Sequence, residues 1–287
     1  MEVDEHVAPG EVRESPDGCP DDTCHVDLLA AIHANDISCV ICVLESGCQQ
    51  VTLDSGLCWA SRYGNIEMVS RLLEKGANPN AVVWGGFSPL IWATIYAPTV
   101  ETILNLIVAG ADVNHSSAKR RQTALHAAVI RDKVEFVSAL VEGGANLDSR
   151  DYLHKTPLMH AVQRGATSCV KLLIYYNCDV TLTGWVDGVS VSPLLQALAS
   201  GDLEITRVLV LAGARFDRPT ISQTFTFGEF YATLERELKL EVRPVYLQQH
   251  CRVRIRHLLK PGFLDKLRQI GLPPLLHRYL LIDEMDV

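Results

Sequence analysis

The side chains that could do chemistry in this 287-residue chain include nine cysteines. Two of them, Cys39 and Cys42, have the Cys-x-x-Cys spacing with which many zinc sites begin. A structural zinc ion needs a second Cys or His pair at a matching spacing, and Cys48 and Cys58 do not form one. We therefore expect reduced thiols, with Cys39 and Cys42 packed into the core as small apolar side chains. A metal or redox protein built on this pair is the weaker alternative.

Histidines and carboxylates are scattered along the chain rather than paired. His115 and His154 fall in predicted loops, with no acid or nucleophile beside them in the sequence. The chain lacks a phosphate-binding Gly-x-x-x-x-Gly-Lys-Ser/Thr loop, a His-Glu-x-x-His pair and a Gly-x-Ser-x-Gly nucleophile turn. The sequence therefore predicts a chain that is not an enzyme, with no catalytic residues, no bound metal and no cofactor.

The charges are distributed unevenly. The formal net charge is −8, and residues 1–24 hold eight acidic residues, three prolines and only one arginine. This composition predicts a disordered acidic tail over residues 1–24. The charge balance argues against a nucleic-acid partner, and no apolar run reaches the roughly 20 residues of a membrane helix. Because the N-terminus also lacks a secretory pattern, we expect a soluble protein of the cytoplasm, with the nucleus as a second compartment.

An internal repeat with a period of about 33 residues occupies the middle of the chain. Each copy begins with a Ser or Thr that can cap a helix, and three copies continue with a proline where no N–H is needed. The central leucines are Leu57, Leu90, Leu125, Leu158 and Leu194. A second motif ends four of the units with a glycine suited to a left-handed turn. These glycines are Gly76, Gly110, Gly144 and Gly213.

These motifs resemble the ankyrin repeat, and the copy over residues 123–128, Thr-Ala-Leu-His-Ala-Ala, is the fullest. The resemblance implies an all-α ankyrin solenoid of about six repeats over residues 25–217, because a single helix pair cannot bury its own apolar face. An atypical copy, whose helices span Asp27–His33 and Ile37–Leu44, starts the stack. Residues 218–240 are apolar at helical spacing and predict a helix that caps the last repeat.

The same motif suggests roles for three of its own side chains. In the ankyrin repeat the histidine at the position of His126 bonds to backbone rather than taking part in catalysis. Trp59 and Trp92 lie inside the helix motif, and we expect both in the core.

Residues 241–287 form a different, small helical unit. Leu247, Cys251 and Ile255 recur every four residues, and Leu258 continues their stripe on one helix face. A Pro-Gly pair then ends this helix, and a second amphipathic segment follows it. Such a hairpin has more apolar surface than some 40 residues can bury, which predicts a protein partner.

This C-terminal unit resembles the SOCS box, a module that recruits a ubiquitin ligase. Residues 251–256, Cys-Arg-Val-Arg-Ile-Arg, are close to the family pattern Cys-Arg-x-x-Ile-Arg. The resemblance implies that elongin C, which carries elongin B, binds Leu247, Cys251, Ile255 and Leu258. The later part is similar to the cullin-binding box, although Gly271 replaces its first proline. It implies that cullin five with its RING protein binds Ile270, Leu272, Pro273, Tyr279 and Leu280.

Ankyrin repeats followed by a SOCS box are the arrangement of the ankyrin-repeat and SOCS-box family. The resemblance implies the substrate-recognition subunit of an elongin–cullin–RING ubiquitin ligase, which holds a target on its repeats and promotes the target's ubiquitination and degradation. The alternative is an ankyrin scaffold or inhibitor whose C-terminal hairpin caps the stack. A cap would turn the Leu247 stripe inward, whereas a receptor would present it outward.

The resemblance also predicts where a target would bind. Ankyrin arrays use their concave face, through the loop before each repeat motif and the exposed end of each first helix. On this face the sequence places aromatic and cationic residues, the types enriched in interface hot spots. The predicted target-binding residues are Arg62, Tyr63, Trp84, Phe87, Tyr96, Arg120, Arg131, Tyr152 and Lys155. The cations among them suggest an acidic or phosphorylated target segment, with a solvated basic loop as the alternative for residues 119–121.

Overall fold

A computed structural model describes residues 22–45, 47–186 and 188–214, without the side chains of residues 22–26 and of Trp84. Twelve α-helices lie in these ranges. Their bounds are α1 Asp22–His33, α2 Ile37–Glu45, α3 Gln50–Tyr63, α4 Ile66–Glu74, α5 Pro89–Tyr96, α6 Glu101–Val108, α7 Ala124–Ile130, α8 Val134–Glu142, α9 Pro157–Arg164, α10 Thr167–Tyr175, α11 Pro193–Ser200 and α12 Leu203–Leu211. None of these helices is long and apolar enough to cross a membrane.

The helices form six consecutive antiparallel pairs arranged in two layers. The first helix of each pair packs on the first helix of the next, and the second helices do the same. The core lies between the layers, where the five repeat leucines are at most 2% exposed. This two-layer stack of helix pairs is the arrangement that the repeat period predicts.

The predicted Ser and Thr caps are present on four first helices. The side chains of Ser88, Thr123, Thr156 and Ser192 each accept a hydrogen bond from the backbone N–H three residues later. Each such bond satisfies one of the N–H groups that a helix start leaves without a partner.

Helix α3 begins earlier than the repeat motif predicts. By the motif Ser55 would cap this helix, but α3 begins at Gln50 and Ser55 is buried inside it. The residue after Ser55 is a glycine and not the helix-starting proline of other copies, so nothing in the chain prevents the helix from starting sooner. Gly56 lets α3 approach α1 closely, because a Cβ there would lie 3.0 Å from Cδ2 of Leu28.

Glycines end the second helices as predicted. Gly76, Gly110, Gly144 and Gly213 have φ values of 90°, 87°, 91° and 97°, which side chains with a Cβ rarely adopt. The fifth repeat uses Asn177, with φ 70°, at the matching position. Asparagine is one of the few other residues that tolerate this conformation.

Side chains in the loops tie successive repeats together. Oδ1 of Asn80 accepts a bond of 2.6 Å from the N–H of Asp112, and its Nδ2 donates to the carbonyl of Gly110. Asn114 makes the same two bonds to the next repeat, at 2.7 Å from the Asn146 N–H and 3.1 Å to the Gly144 carbonyl. These bonds keep the repeats in register at the loop end of the stack.

The loops before the first helices form short hairpins. A 3₁₀ turn over Trp84–Gly86 is closed by a β-bridge between Val83 and Phe87. Two short antiparallel strands, β1 Gly184–Val186 and β2 Val189–Val191, form the corresponding hairpin before α11. These hairpins project side chains beside the starts of the first helices.

The core position expected for Cys39 and Cys42 is wrong, because both residues are exposed on α2. The buried side of α2 carries Val40 and Leu44, and residues 39 and 42 fall on the other side of the helix. Within the described ranges, no three His, Cys, Asp or Glu side chains cluster so that they could hold a metal ion.

Candidate functional site

The guanidinium group of Arg62, in the last turn of α3, lies over three aromatic rings. Its carbon Cζ is 5.1 Å from the ring centroid of Trp59, 5.4 Å from that of Trp92 and 4.6 Å from that of Tyr96. Trp59 belongs to the same helix, whereas Trp92 and Tyr96 belong to α5, so the arginine joins two repeats. Cation–π contacts hold the planar group in place without using its N–H donors.

Further side chains extend this cluster in both directions along the stack. Trp59 stacks on Tyr63, whose hydroxyl lies 2.6 Å from Nδ1 of His33 on α1. On the other side Trp92 stacks on Tyr96, and Cζ of Arg131 lies 5.7 Å from the Tyr96 centroid. We call the whole set the aromatic–arginine row. Its members are His33, Trp59, Arg62, Tyr63, Trp92, Tyr96 and Arg131.

The row is open to solvent and has unused hydrogen-bonding capacity. Tyr63 and Tyr96 are 43% and 46% exposed, and Arg131 is exposed as well. Among the described residues, no carboxylate lies within ion-pair distance of either arginine of the row. The buried indole Nε1 of Trp92 likewise has no acceptor within that part of the chain. A surface of exposed rings and unneutralised guanidinium groups is suited to a protein partner.

The loops beside the row carry four more of the predicted target-binding residues. The ring of Phe87 packs edge-on against Trp92 at 5.3 Å and is half-buried. The backbone N–H of Tyr152 donates to the carbonyl of Arg120, and both side chains are exposed. Trp84 lies in the 3₁₀ turn next to Phe87, and its side chain is outside the described part of the structure.

Lys155 does not belong to this surface, which corrects the sequence prediction. Its side chain is 5% exposed, and its ammonium group donates to Oε1 of Gln163 at 2.9 Å. The neighbouring loop covers the lysine stem, since Gly184 has no room for a Cβ beside Cα and Cγ of Lys155. The sequence motif predicts that Lys155 lies just before a first helix. It does not predict that the loop at Gly184 covers this side chain.

Asp151 and His160 form a hydrogen-bonded pair that sequence reasoning missed. Oδ2 of the buried Asp151 lies 2.9 Å from Nε2 of His160, and its Oδ1 accepts from the backbone N–H groups of Leu153 and Lys155. Burial acts to raise the pKa of Asp151, but the hydrogen bond from His160 and the backbone donors outweigh it and hold that pKa below its usual value. This pair shapes the loop before α9.

His126 has the structural role that the repeat motif predicts. Its Nδ1 accepts from the N–H of Thr123, and its Nε2 lies 3.2 Å from the carbonyl oxygen of Lys155. Burial, followed by the nearby His160, lowers the pKa of His126 to about 4. This neutral, hydrogen-bonded imidazole joins the fourth and fifth of the described helix pairs.

The structure therefore brings together part of the predicted target surface. Arg62, Tyr63, Tyr96 and Arg131 lie in one row, with Phe87 beside it. Arg120 and Tyr152 are joined through their backbone in neighbouring loops. The residues predicted to bind elongin and cullin, together with segments 1–21 and 218–240, lie outside the described residues.

Two tryptophans of the row were predicted as core residues, and they are only half-buried. A signal for their true position exists in the sequence. Trp59 lies four residues before Tyr63, and Trp92 lies four residues before Tyr96. Each tryptophan therefore shares a helix face with a tyrosine that is predicted to be exposed.

Comparison with protein families identifies the class. The family described as ankyrin repeats (3 copies) matches residues 28–117 and 90–184, together more than half of the chain. This chain belongs to the ankyrin-repeat family. Repeats of this kind present a binding surface for other proteins, which agrees with the row described above.

Several curated proteins are similar to this chain over part of their length. The E3 ubiquitin-protein ligase KEG of Arabidopsis thaliana is 27% identical over 179 residues, which are 56% of this chain and 11% of that protein. The ankyrin repeat and KH domain-containing protein mask-1 of Caenorhabditis elegans is 32% identical over 164 residues, 57% of this chain and 6% of that protein. An ankyrin repeat protein of fowlpox virus is 31% identical over 189 residues, 63% of this chain and 54% of its own length. The chain thus spans at most about half the length of these relatives.

Proposed function

We propose that this chain is the substrate-recognition subunit of a SOCS-box ubiquitin ligase. Its ankyrin repeats hold a target protein, and residues 241–287 bind elongin C, which carries elongin B. Cullin five and its RING protein join through the later part of the same unit. The chain contributes proximity, because it raises the effective concentration of target lysines near the conjugating enzyme.

One observation carries the ligase part of this proposal. The stripe of Leu247, Cys251 and Ile255 stands at a spacing of four and is followed by the Leu272-Pro273 and Tyr279-Leu280 pairs. The relative KEG is named an E3 ubiquitin-protein ligase, but the similarity covers only 11% of it. The proposal therefore depends on the C-terminal sequence, and the ankyrin family supports the protein-binding half.

The test is capture of the full chain by purified elongin B–elongin C. Leu247→Ser removes an apolar anchor of the predicted stripe, and we expect it to abolish the complex. Val253→Ser makes a comparable apolar-to-serine change in the same segment, two residues from Cys251 and thus off the stripe, and should leave the complex intact.

Thermal unfolding separates this role from the scaffold alternative. Stability in repeat proteins is approximately a sum of local and nearest-neighbour contributions, so a surface change outside the array should not alter the melting temperature. If Leu247→Ser lowers the melting temperature by several degrees and the wild type binds no elongin, the C-terminal unit is a cap and the ligase role is wrong.

A further inference from the structure

The two arginines of the aromatic–arginine row are held around one tyrosine. Cζ of Arg62 and Cζ of Arg131 lie 4.6 and 5.7 Å from the Tyr96 centroid, which places them within about 10.3 Å of each other. They come from the ends of α3 and α7, two repeats apart. The fold therefore places two positive charges around one ring of an otherwise aromatic surface.

Neither guanidinium group has a counter-charge in the described residues. Arg71 pairs with Glu74, and Lys171 pairs with Glu204. The ammonium groups of Lys133 and Lys155 donate to the carbonyl of Ala97 and to Gln163. Arg62 and Arg131 make ring contacts only, so their N–H donors remain available for a ligand.

The ring contacts also prepare Arg62 for binding. A long arginine side chain loses rotamer entropy when a ligand fixes it, and three aromatic rings already restrict this one. A guanidinium group presents paired donors whose geometry matches a carboxylate or phosphate. The exposed rings of Tyr63 and Tyr96 beside it offer contact area for apolar side chains.

We infer that the aromatic–arginine row binds a peptide segment with an anionic side chain next to an apolar one, with the anion at Arg62 and Arg131. The anion is a carboxylate or a phosphate, since both fit the same donors. This inference deepens the proposed function, on whose target-binding surface it rests, and states which feature of a target the repeats recognise.

Peptide selection on the full chain tests the inference without a known target. A displayed library of random linear peptides is selected on the wild type and on the Arg62→Gln/Arg131→Gln double variant. We expect Asp or Glu beside an aromatic or aliphatic residue to be enriched on the wild type and not on the variant. An Arg71→Gln/Lys75→Gln double variant removes two charges from the second-helix layer and should select as the wild type does.

Synthetic versions of the best peptide measure the anion directly. Replacing its carboxylate by the matching amide should weaken binding to the wild type about tenfold or more, and should change nothing for the Arg62→Gln/Arg131→Gln variant. A phosphoserine version that binds at least tenfold tighter than the carboxylate identifies phosphate as the source. Comparable affinity identifies the carboxylate.

Several results would overturn the inference. They are selection without acidic enrichment, an amide version that binds the wild type equally well, and equal loss in the Arg71→Gln/Lys75→Gln variant. A synthetic peptide of the acidic residues 1–21 is tested as well. If it binds more tightly than every selected peptide, the ligand of the row is this chain's own N-terminal segment and not a target. Should the double variant unfold, Arg131→Gln alone keeps the test valid, because Arg131 is exposed and contacts a single ring.

Elongin binding is measured on the same samples, which separates the two proposals. A peptide preference without elongin capture contradicts the ligase role alone. Elongin capture without a peptide preference contradicts only the inference about the row.

Discussion

Single side chains in this protein have roles that depend on their surroundings more than on their type. His126 and His160 lie with ring centroids 5.7 Å apart, yet one is a buried neutral group bonded to backbone and the other pairs with Asp151. Lys155, a residue type usually found at the surface, is buried beside them. The motif predicts the bonding of His126, but the acid partner of His160 comes from a loop conformation that the motif does not specify.

Titration of His126 should make stability depend on pH. Its folded pKa of about 4 lies below the value of 6.5 for an unperturbed histidine, so the unfolded chain takes up a proton between pH 6.5 and 4 that the folded chain excludes. The free energy of unfolding should therefore fall as the pH drops through this window, by up to about 3 kcal/mol. Asp151, whose pKa is lowered, affects stability only at more acidic pH.

Denaturant unfolding from pH 7 to 4 measures this dependence, with His126→Gln as the comparison. Glutamine can still accept from the Thr123 N–H as in a capping box, but it does not titrate. We expect a flatter pH profile for the variant, and an unchanged profile would contradict the role assigned to His126.

The exposure of the cysteines predicts their reactivity. Cys39 and Cys42 are exposed, whereas Cys58 and Cys169 are buried, and burial raises the pKa of both buried thiols to about 12. Brief alkylation of the native chain followed by peptide mass mapping should modify Cys39 and Cys42 and spare the other two. Modification of all four at equal rates would contradict the described burial, and the unfolded chain serves as the control.

The ends of helices can be predicted from the sequence where a motif determines a local hydrogen bond or backbone conformation. The Ser and Thr caps, the helix-starting prolines and the terminal glycines give most helix ends correctly, because each depends on one backbone position. The start of α3 could not be predicted in this way, since residues 50–54 lack a stop signal and the helix simply continues through them. Neighbouring repeats, and not local motifs, decide the contacts made across the stack.

Substitution of Gly64 and Gly76 separates the cost of backbone strain from the cost of a clash with the next repeat. Gly64 and Gly76 both have positive φ, but a Cβ on Gly64 would overlap Cδ of Pro98 in the next repeat, whereas Gly76 faces open space. Gly76→Ala should cost about 1–2 kcal/mol of unfolding free energy through backbone strain alone. Gly64→Ala should cost measurably more in the same denaturant titration. Equal losses would mean that the contact with the third repeat does not constrain Gly64.

The loop asparagines should contribute to stacking. Asn114→Ala removes two bonds to the next repeat and leaves a backbone N–H and a carbonyl without these partners. We expect a loss of about 1–3 kcal/mol in unfolding free energy. Asn105, on α6 of the same repeat, makes neither of these bonds, so Asn105→Ala is the matched control. A smaller loss for Asn114→Ala than for Asn105→Ala would contradict the role of these bonds.

At the scale of the whole molecule, the surface that could bind a partner arises from stacking. Helices α1, α3 and α5 contribute one, three and two residues to the aromatic–arginine row, and Arg131 at the end of α7 completes it. The row exists only because these four helices lie side by side. The period of the leucines predicts this stacking, but the ring contacts of Arg62 depend on side-chain directions that the sequence alone does not give. We propose two separate binding surfaces on one chain, the row in the repeats and the apolar stripe at Leu247.

The most direct test of this division is calorimetric titration of elongin B–elongin C into three forms of the full chain. We predict that the wild type and the Arg62→Gln/Arg131→Gln variant bind with the same affinity, while Leu247→Ser does not bind. Loss of elongin binding in the arginine variant, or binding by Leu247→Ser at wild-type affinity, would contradict this division.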